Sequence, residues 1–438
     1  MRIEEITITN LFGIFDHSIP LNKDHITIIH GPNGFGKSTI LKMLDGLLKS
    51  RYYEIRTTPF DEFCVAFENG AYIKVTKSDT PKNDAVHINY SLGKEDIEFE
   101  PNLTAEPESV SFPSDAIDDI IPELERVDRK RWHCIPTGEI YSLQDVMELY
   151  GDRFPAQATS IEEPDDLKEL KNTVKAHIIS TQRLSHYHSV PRNIRGKHIP
   201  NYPYPQAVAQ YSSELAETIE TKLAESASLS QSLDRAFPTR LIQQSSIKEL
   251  TKEEIHKELS SLEKKRSKLR QAGLLDKEED IEIPVPSQID PATRNVFSVY
   301  IEDIKKKLGI FDELSSKIKL FLEIVNSRFI YKEMSVSKEK GFVFTDSNGK
   351  LLSPTSLSSG EQHKIVVLYE LLFKVSPDSI ILIDEPEISL HVDWQINFLP
   401  ELEQIARLTS LDILMATHSP DIINERWDLT VELKGCAK

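Results

Sequence analysis

The sequence predicts an α/β protein with mixed antiparallel and parallel sheets, formed from both chain ends around a helical insertion. Three observations carry that prediction. The first hundred residues alternate apolar and polar side chains, or run β-branched, between Gly, Asn and Asp turns. From about residue 211 to residue 327 the apolar residues recur at helical spacing. After residue 340 strand and helix patterns alternate again.

In chain order, strands are expected at "RIEEITIT", "HITIIH", "EFCVAFE" and "AYIKVTK". The Pro- and Glu-rich "EPNLTAEPESVSFP" reads as an exposed loop, residues 115–176 as helical and mixed in charge, and "AHIISTQRL" as a strand. The long loop "SHYHSVPRNIRGKHIPNYPYPQ" follows. Helices are expected over 211–235 and over 246–272, where Ile255, Leu259, Leu262 and Leu269 share a face. A third is expected over 292–327, through Phe297, Ile301, Ile304, Leu308, Phe311, Ile318 and Leu322. The last two are expected to pair antiparallel as a short arm of about 50 Å, at ~1.5 Å per residue. "GFVFTD", "SIILID" and "LDILMAT" read as strands, and "GEQHKIVVLYELLF" as a helix apolar on nearly all sides and therefore buried. The expected divisions are an N-terminal lobe at 1–184, the loop and insertion at 185–335, and a C-terminal lobe at 336–438.

Composition narrows the function classes. The chain has 438 residues, 39% apolar and 28% charged, enough for a large core in an ordinary soluble protein. A net charge of -18 argues against bulk polyanion binding, so nucleic acid would need a local basic surface. Cys64, Cys134 and Cys436 are odd in number and far apart, which suggests neither a disulfide framework nor a zinc site. No apolar run approaches the ~20 residues that span a bilayer, and the N-terminus lacks a signal-peptide plan. A cytoplasmic protein with no membrane partner is expected.

The motifs point to phosphate chemistry. "GPNGFGKST", Gly31 to Thr39, matches the P-loop pattern between a strand and a helix. Asn33, Gly34, Gly36, Lys37, Ser38 and Thr39 are the expected nucleotide-binding residues. Glycines let backbone amides wrap phosphates, Lys37 reaches the β- and γ-phosphates, and Ser38 ligates magnesium. A Gly-rich turn without nucleotide is the plain alternative, and the strand-loop-helix context argues against it. "SIILIDEPEISLH" is an apolar strand ending in Asp384, a magnesium ligand by position, and Glu385, suited to deprotonate a water. Alone, the pair would equally suit helix capping. "LDILMATHSP" ends in His418, read as a γ-phosphate contact at the carboxyl end of another strand of a parallel sheet. "LSSGEQ" holds Ser358 and Glu361 at capping-box spacing, and the same helix start suits a phosphate. "HYH" at 186–188 reads as surface histidines rather than a metal site.

In order, Gly31–Thr39, Gln182, "LSSGEQ", "DEPEISLH" and His418 resemble the Walker A, Q-loop, signature, Walker B with D-loop, and H-loop of ABC-type ATPases, over nearly the whole chain. Glu361, where the transporter signature has glutamine, resembles the SMC and RecF branch. "DEPEISLHVDWQ" and "ATHSPDII" resemble more narrowly the small prokaryotic ATPases related to the OLD family, such as those of the PARIS and Septu antiphage modules. The resemblance implies an ABC-type head and slow hydrolysis of ATP with magnesium held through Ser38, Asp384 and Gln182. It implies a head-to-head dimer or higher assembly in which Ser358 and Gly360 face the γ-phosphate bound by a second subunit. Gln182 would couple the magnesium site to the insertion. His391 stands where the transporter D-loop has aspartate, which departs from that branch and agrees with the OLD-like one. OLD nucleases carry a TOPRIM domain after the H-loop; with twenty residues there, none is expected here, and the nuclease would be a separate TOPRIM or HNH effector. The alternative is a RecF-like repair ATPase that binds DNA. Its support is the acid-free stretch 183–213, with Arg183, Arg192, Arg195 and Lys197 among Tyr187, Tyr202 and Tyr204, and the basic "RVDRKRW". A transporter subunit fits poorly, because of Glu361 and the helical insertion.

Overall fold

The computed structural model describes residues 1–77, 86–93, 95–101, 117, 121, 124–128, 131–135, 138, 140–150, 163–180, 204–242, 250–275, 290–389 and 392–435. Gln182, His391, Cys436, "HYH" and most of the acid-free stretch lie outside them. The chain forms two compact units, Met1–Asn201 with Val375–Lys438, and Tyr202–Lys374.

The first unit holds two large sheets. Strands β1 (Ile3–Leu11), β2 (Phe15–Pro20), β4 (Glu62–Phe67), β5 (Tyr72–Lys77), β6 (Val86–Ser91) and β7 (Asp96–Phe99) form an antiparallel sheet in the order β2-β1-β4-β5-β6-β7. A second sheet has the order β11 (Lys175–Ser180), β15 (Ser379–Asp384), β16 (Asp412–Ala416), β3 (Ile26–His30), β17 (Thr430–Glu432), with every pairing parallel. The buried runs "SIILID" and "LDILMAT" suit a parallel sheet covered on both faces. Helix α1 (Lys37–Leu48) packs on this sheet and contributes Ile40, Leu41, Met43, Leu44 and Leu47 to one core shared with Ile6, Phe63, Leu382 and Leu414. Its far end leads into Tyr52, whose hydroxyl lies 2.5 Å from Glu163; Lys171 bonds both at 2.7 and 2.8 Å. Glu163 and Lys171 are almost fully buried there, and desolvation lowers the Lys171 pKa despite the carboxylate. Losing one partner would strand a buried charge, a cost of about 3–5 kcal/mol.

Between these sheets in sequence lie α2 (Tyr53–Thr57), α3 (Leu143–Leu149), α4 (Asp165–Asn172) and a three-stranded antiparallel sheet, β8 (Leu124–Arg126), β9 (Arg131–Cys134), β10 (Ile140–Ser142), around Trp132. The expectation of helix across 115–176 is corrected here. The strands are only three or four residues long, too short to show an alternation.

The second unit contains α5 (Tyr204–Ile242), α6 (Lys252–Gln271), α7 (Pro291–Gly309), α8 (Asp312–Asn326), α9 (Ser359–Tyr369) and a three-stranded antiparallel sheet of β12 (Lys332–Ser337), β13 (Gly341–Asp346) and β14 (Leu351–Leu352). "GFVFTD" is therefore a strand, but of a small sheet of its own. The long helix expected over 292–327 is two helices broken at Ile310–Phe311. The expected antiparallel pair is also corrected. Leu250 N–H meets Ser298, Glu258 meets Lys305 and Lys265 meets Asp312, so α6 and α7 run parallel. The antiparallel partner of α7 is α5, through Leu241 to Asn295, Arg240 to Asp303 and Asp234 to Lys307. Nineteen residues, 272–290, separate α6 from α7, a contour length at ~3.3 Å per residue sufficient to return along a ~30 Å helix. Helix α5 is rooted on β13, where the Ser212 hydroxyl lies 2.6 and 2.7 Å from the Lys340 and Phe342 carbonyl oxygens, sharing its one proton between them. A side chain on Gly341, at φ +67, would overlap the Ser212 carbonyl oxygen.

Candidate nucleotide site

The first-unit site sits where three adjacent parallel strands end. β15, β16 and β3 are neighbours, and Asp384 closes the first, Ala416 the second and His30 the third. Chain reversals after these strands place Glu385, His418 and the loop Gly31–Gly36 at one edge, the ligand side of such sheets.

Lys37 opens α1 and is buried. Its ammonium donates to the carbonyls of Gly31 and Pro32 at 2.7 and 3.0 Å. It thus lies curled inside its own loop, and phosphate oxygens would exchange neutral acceptors for charged, stronger ones. Gly36 caps the helix at φ +87, and any Cβ there would collide with Leu11. Asn33 and Gly34 are exposed and Thr39 is half-buried on the first helical turn. The loop is braced from β2, where His17 Nε2 contacts the Phe35 carbonyl oxygen at 3.0 Å and Phe15 packs on the Phe35 ring.

The Ser38 hydroxyl donates to Asp384 Oδ1 at 2.8 Å, joining two motifs 346 residues apart. Burial pushes the Asp384 carboxyl above its ordinary value, against the Ser38 hydrogen bond and the nearby Lys42 and Lys37 charges. A half-buried carboxylate beside a serine hydroxyl is a donor pair fitted to magnesium. That ion keeps several waters and takes few protein ligands. Among the described residues no group of three or more His, Cys, Asp or Glu could hold a metal ion.

Glu385 follows at φ +45, a left-handed conformation costing a non-glycine residue roughly 1–3 kcal/mol. Its amide donates to the Ala416 carbonyl at 2.9 Å, so the β16 end holds it there. The sequence reading missed Glu387. This side chain is 7% exposed; its Oε1 accepts the His418 amide at 2.9 Å and lies 2.8 Å from His418 Nδ1, and its Oε2 accepts the Thr417 hydroxyl at 2.8 Å. Gln395, on α10 (Val392–Thr409), spans the Glu387 carbonyl and the Ser419 hydroxyl. The stretches "DEPEISLHVDWQ" and "ATHSPDII" are thus one bonded unit. The signal was a second glutamate two positions after the Asp-Glu pair.

In the second unit, Ser358 caps α9. Its hydroxyl accepts the Glu361 amide at 3.3 Å and Glu361 accepts the Ser358 amide at 2.6 Å, the expected capping box. Ser358 and Gly360 are exposed. Burial alone would raise the Glu361 carboxyl, but Lys332 at 2.8 Å and the Ser358 amide outweigh it and hold it low. Gln362 is buried and donates to the Pro354 and Leu357 carbonyls, fixing the turn that precedes the helix. After Tyr369 the helix widens into a π segment, Glu370–Lys374.

Desolvation holds the His363 imidazole of α9 at about 4, below an ordinary 6.5. The folded chain then binds fewer protons than the unfolded chain between those values, so stability falls as pH drops through that window and levels below it. The expected loss from this group is about 2 kcal/mol at pH 5. Urea midpoints of wild type and His363→Leu, compared at pH 7.5 and pH 5, check it: the variant loses less.

A family profile described as the AAA ATPase domain matches residues 1–423. The chain belongs to the AAA ATPase domain family. The order of its motifs resembles that of the ABC-type ATPases of the SMC and RecF kind. The chain is similar to the retron Ec83 probable ATPase of Escherichia coli, 26% identical over 132 residues, which are 27% of this chain and 24% of that protein. The match therefore spans about a quarter of that relative's length. Among solved structures, the Smc head domain with an extended coiled coil bound to the C-terminal domain of ScpA, from Pyrococcus furiosus, aligns over 96% of this chain and 90% of its own, at 13% identity and a TM-score of 0.34. The SMC head domain from Thermotoga maritima aligns over 99% and 95%, at 11% identity and a TM-score of 0.34. Among the described residues no helix is long and apolar enough to cross a membrane.

Proposed function

We propose that the chain hydrolyses ATP slowly, dimerises around it, and acts as a switch controlling a separate effector, a nuclease, in an antiphage module. The carrying observation is the Ser38–Asp384 hydrogen bond of 2.8 Å, which supports one P-loop and carboxylate site at the strand ends shared with Glu385 and His418. Lys37 leaves its loop carbonyls for the β- and γ-phosphates. Ser38 and Asp384 would hold magnesium, which when bound would supply charge neutralisation for the phosphates. Glu385 orients and deprotonates the attacking water, and His418 contacts the γ-phosphate. Ser358, Gly360 and the α9 amides close the second subunit's site, since a helix start serves its own cap and an anion with the same groups. The antiphage reading rests on the likeness of "DEPEISLHVDWQ" and "ATHSPDII" to OLD-like ATPases.

Lys37→Ala tests the nucleotide half. A fluorescent ATP analogue is expected to bind at least ~100-fold more weakly, because two charge-assisted contacts are lost. In mass photometry the ATP-dependent dimer is expected to vanish with it. A dimer that forms equally with and without ATP, in both proteins, rejects the switch. Affinity purification from the native operon tests the effector: a nuclease partner is expected, and a lone ATPase with no nuclease or toxin gene beside it removes that part.

A further inference from the structure

We infer that Glu387 is a positioning residue for ATP turnover, which orients His418 and keeps a proton on its Nδ1 so that Nε2 is turned to the γ-phosphate. The inference rests on the reading of His418 as the phosphate contact. An ionised carboxylate only accepts hydrogen bonds, so the 2.8 Å approach of His418 Nδ1 to Glu387 Oε1 makes Nδ1 the donor. The same oxygen takes the His418 amide and its twin takes Thr417, so ring, backbone and preceding residue are held by one side chain. Glu387 is itself held, since Gln395 bonds its carbonyl at 3.3 Å and reaches Ser419 at 3.0 Å. The imidazole is 47% exposed, and its Nε2 has no partner among the described residues.

The orientation has a chemical consequence. A carboxylate anchoring one imidazole nitrogen fixes which face the other presents. A phosphate oxygen is also an acceptor, so its contact with Nε2 needs a proton there as well. With nucleotide bound the ring therefore carries both protons, an imidazolium between two anions, and Glu387 is its counter-ion. Glu387 acts on the phosphate through His418, as its positioning residue.

Imidazole nitrogen NMR on [15N]histidine-labelled protein at pH 7.5, with His418 assigned by its loss in His418→Ala, tests this. Wild type is expected to show Nδ1 protonated without nucleotide, and both nitrogens protonated with a non-hydrolysable ATP analogue. Glu387→Met keeps the length and removes both carboxylate acceptors, leaving only a weak thioether sulfur. It is expected to lose the Nδ1 proton and to lower kcat by about 100-fold, the scale of losing one preorganised donor, with the KM for ATP changed less than ~3-fold. Glu387→Gln retains an acceptor without charge and is expected to recover part of kcat. A merely structural Glu387 would lower the folded fraction and leave the His418 resonances of the folded protein as in wild type. That result, or a wild-type Nδ1 without a proton, overturns the inference. If the Met variant does not fold, the wild-type spectra decide. Unchanged kcat and KM in His418→Ala would instead reject the phosphate contact, a separate outcome from the Nδ1 measurement.

Discussion

Glu385→Gln is expected to slow ATP hydrolysis about 100- to 10,000-fold while leaving ATP binding intact, because on the proposed mechanism it removes the general base and nothing else. The exchange is isosteric, and the backbone is held independently: the residue 385 amide bonds the Ala416 carbonyl at 2.9 Å whichever side chain follows. The strained φ of +45 is also indifferent to carboxylate or amide. Asp384, one residue earlier, keeps its bond to Ser38, so the magnesium donors survive. The barrier increase is about 3–5.5 kcal/mol, larger than any effect expected from altered stability at this half-buried position. Since hydrolysis ends the ATP-bound state, the variant should accumulate a long-lived dimer containing ATP. Steady-state phosphate release and mass photometry with ATP check both halves. Turnover equal to wild type would remove Glu385 as the base, and slow turnover without an accumulated dimer would detach hydrolysis from assembly.

The features legible in the sequence are those in which local pattern and tertiary role coincide. "HITIIH", the glycines and "STILKMLDGLL" give strand, loop and helix by local rules, and the structure has β3, the loop and α1 there. Ser358 and Glu361 form the capping box that their spacing requires, because a cap is a contact over three residues. The failures have a common cause. Across Ile310 and Phe311 both residues stay in the right-handed helical region, and Leu308, Phe311, Leu314 and Ile318 are all buried, so the apolar period continues through a break that only hydrogen bonding reveals. The direction of α6 against α7 depends on how the connection returns, which no periodicity encodes. Glu387 was missed because its partners, Thr417 and His418, are thirty and thirty-one residues away and arrive only when β16 joins β15.

The largest consequence of the proposed dimer is that two dead variants should rescue each other. Ser358→Arg puts a cation and bulk at the exposed start of α9 and is expected to abolish turnover; it is far in sequence from the P-loop, and its own Lys37, Ser38 and Asp384 are untouched. Lys37→Ala is expected to be equally inactive, for the opposite reason: its α9 start is intact and its P-loop is not. If each composite site takes the P-loop of one subunit and the serine-glycine turn of the other, a mixed dimer has one wholly native site and one doubly damaged. In a two-fold dimer with free exchange, half the dimers are mixed and one site in two works, so an equimolar mixture should regain about a quarter of wild-type turnover. Rescue needs subunit exchange, so the proteins are mixed before ATP is added. A site completed within one subunit gives no rescue at any ratio, because every P-loop then keeps its own damaged or undamaged partner. Phosphate release across a titration of one variant into the other separates these cases: a maximum at equal amounts requires the composite site, and a flat line at the level of the single variants excludes it.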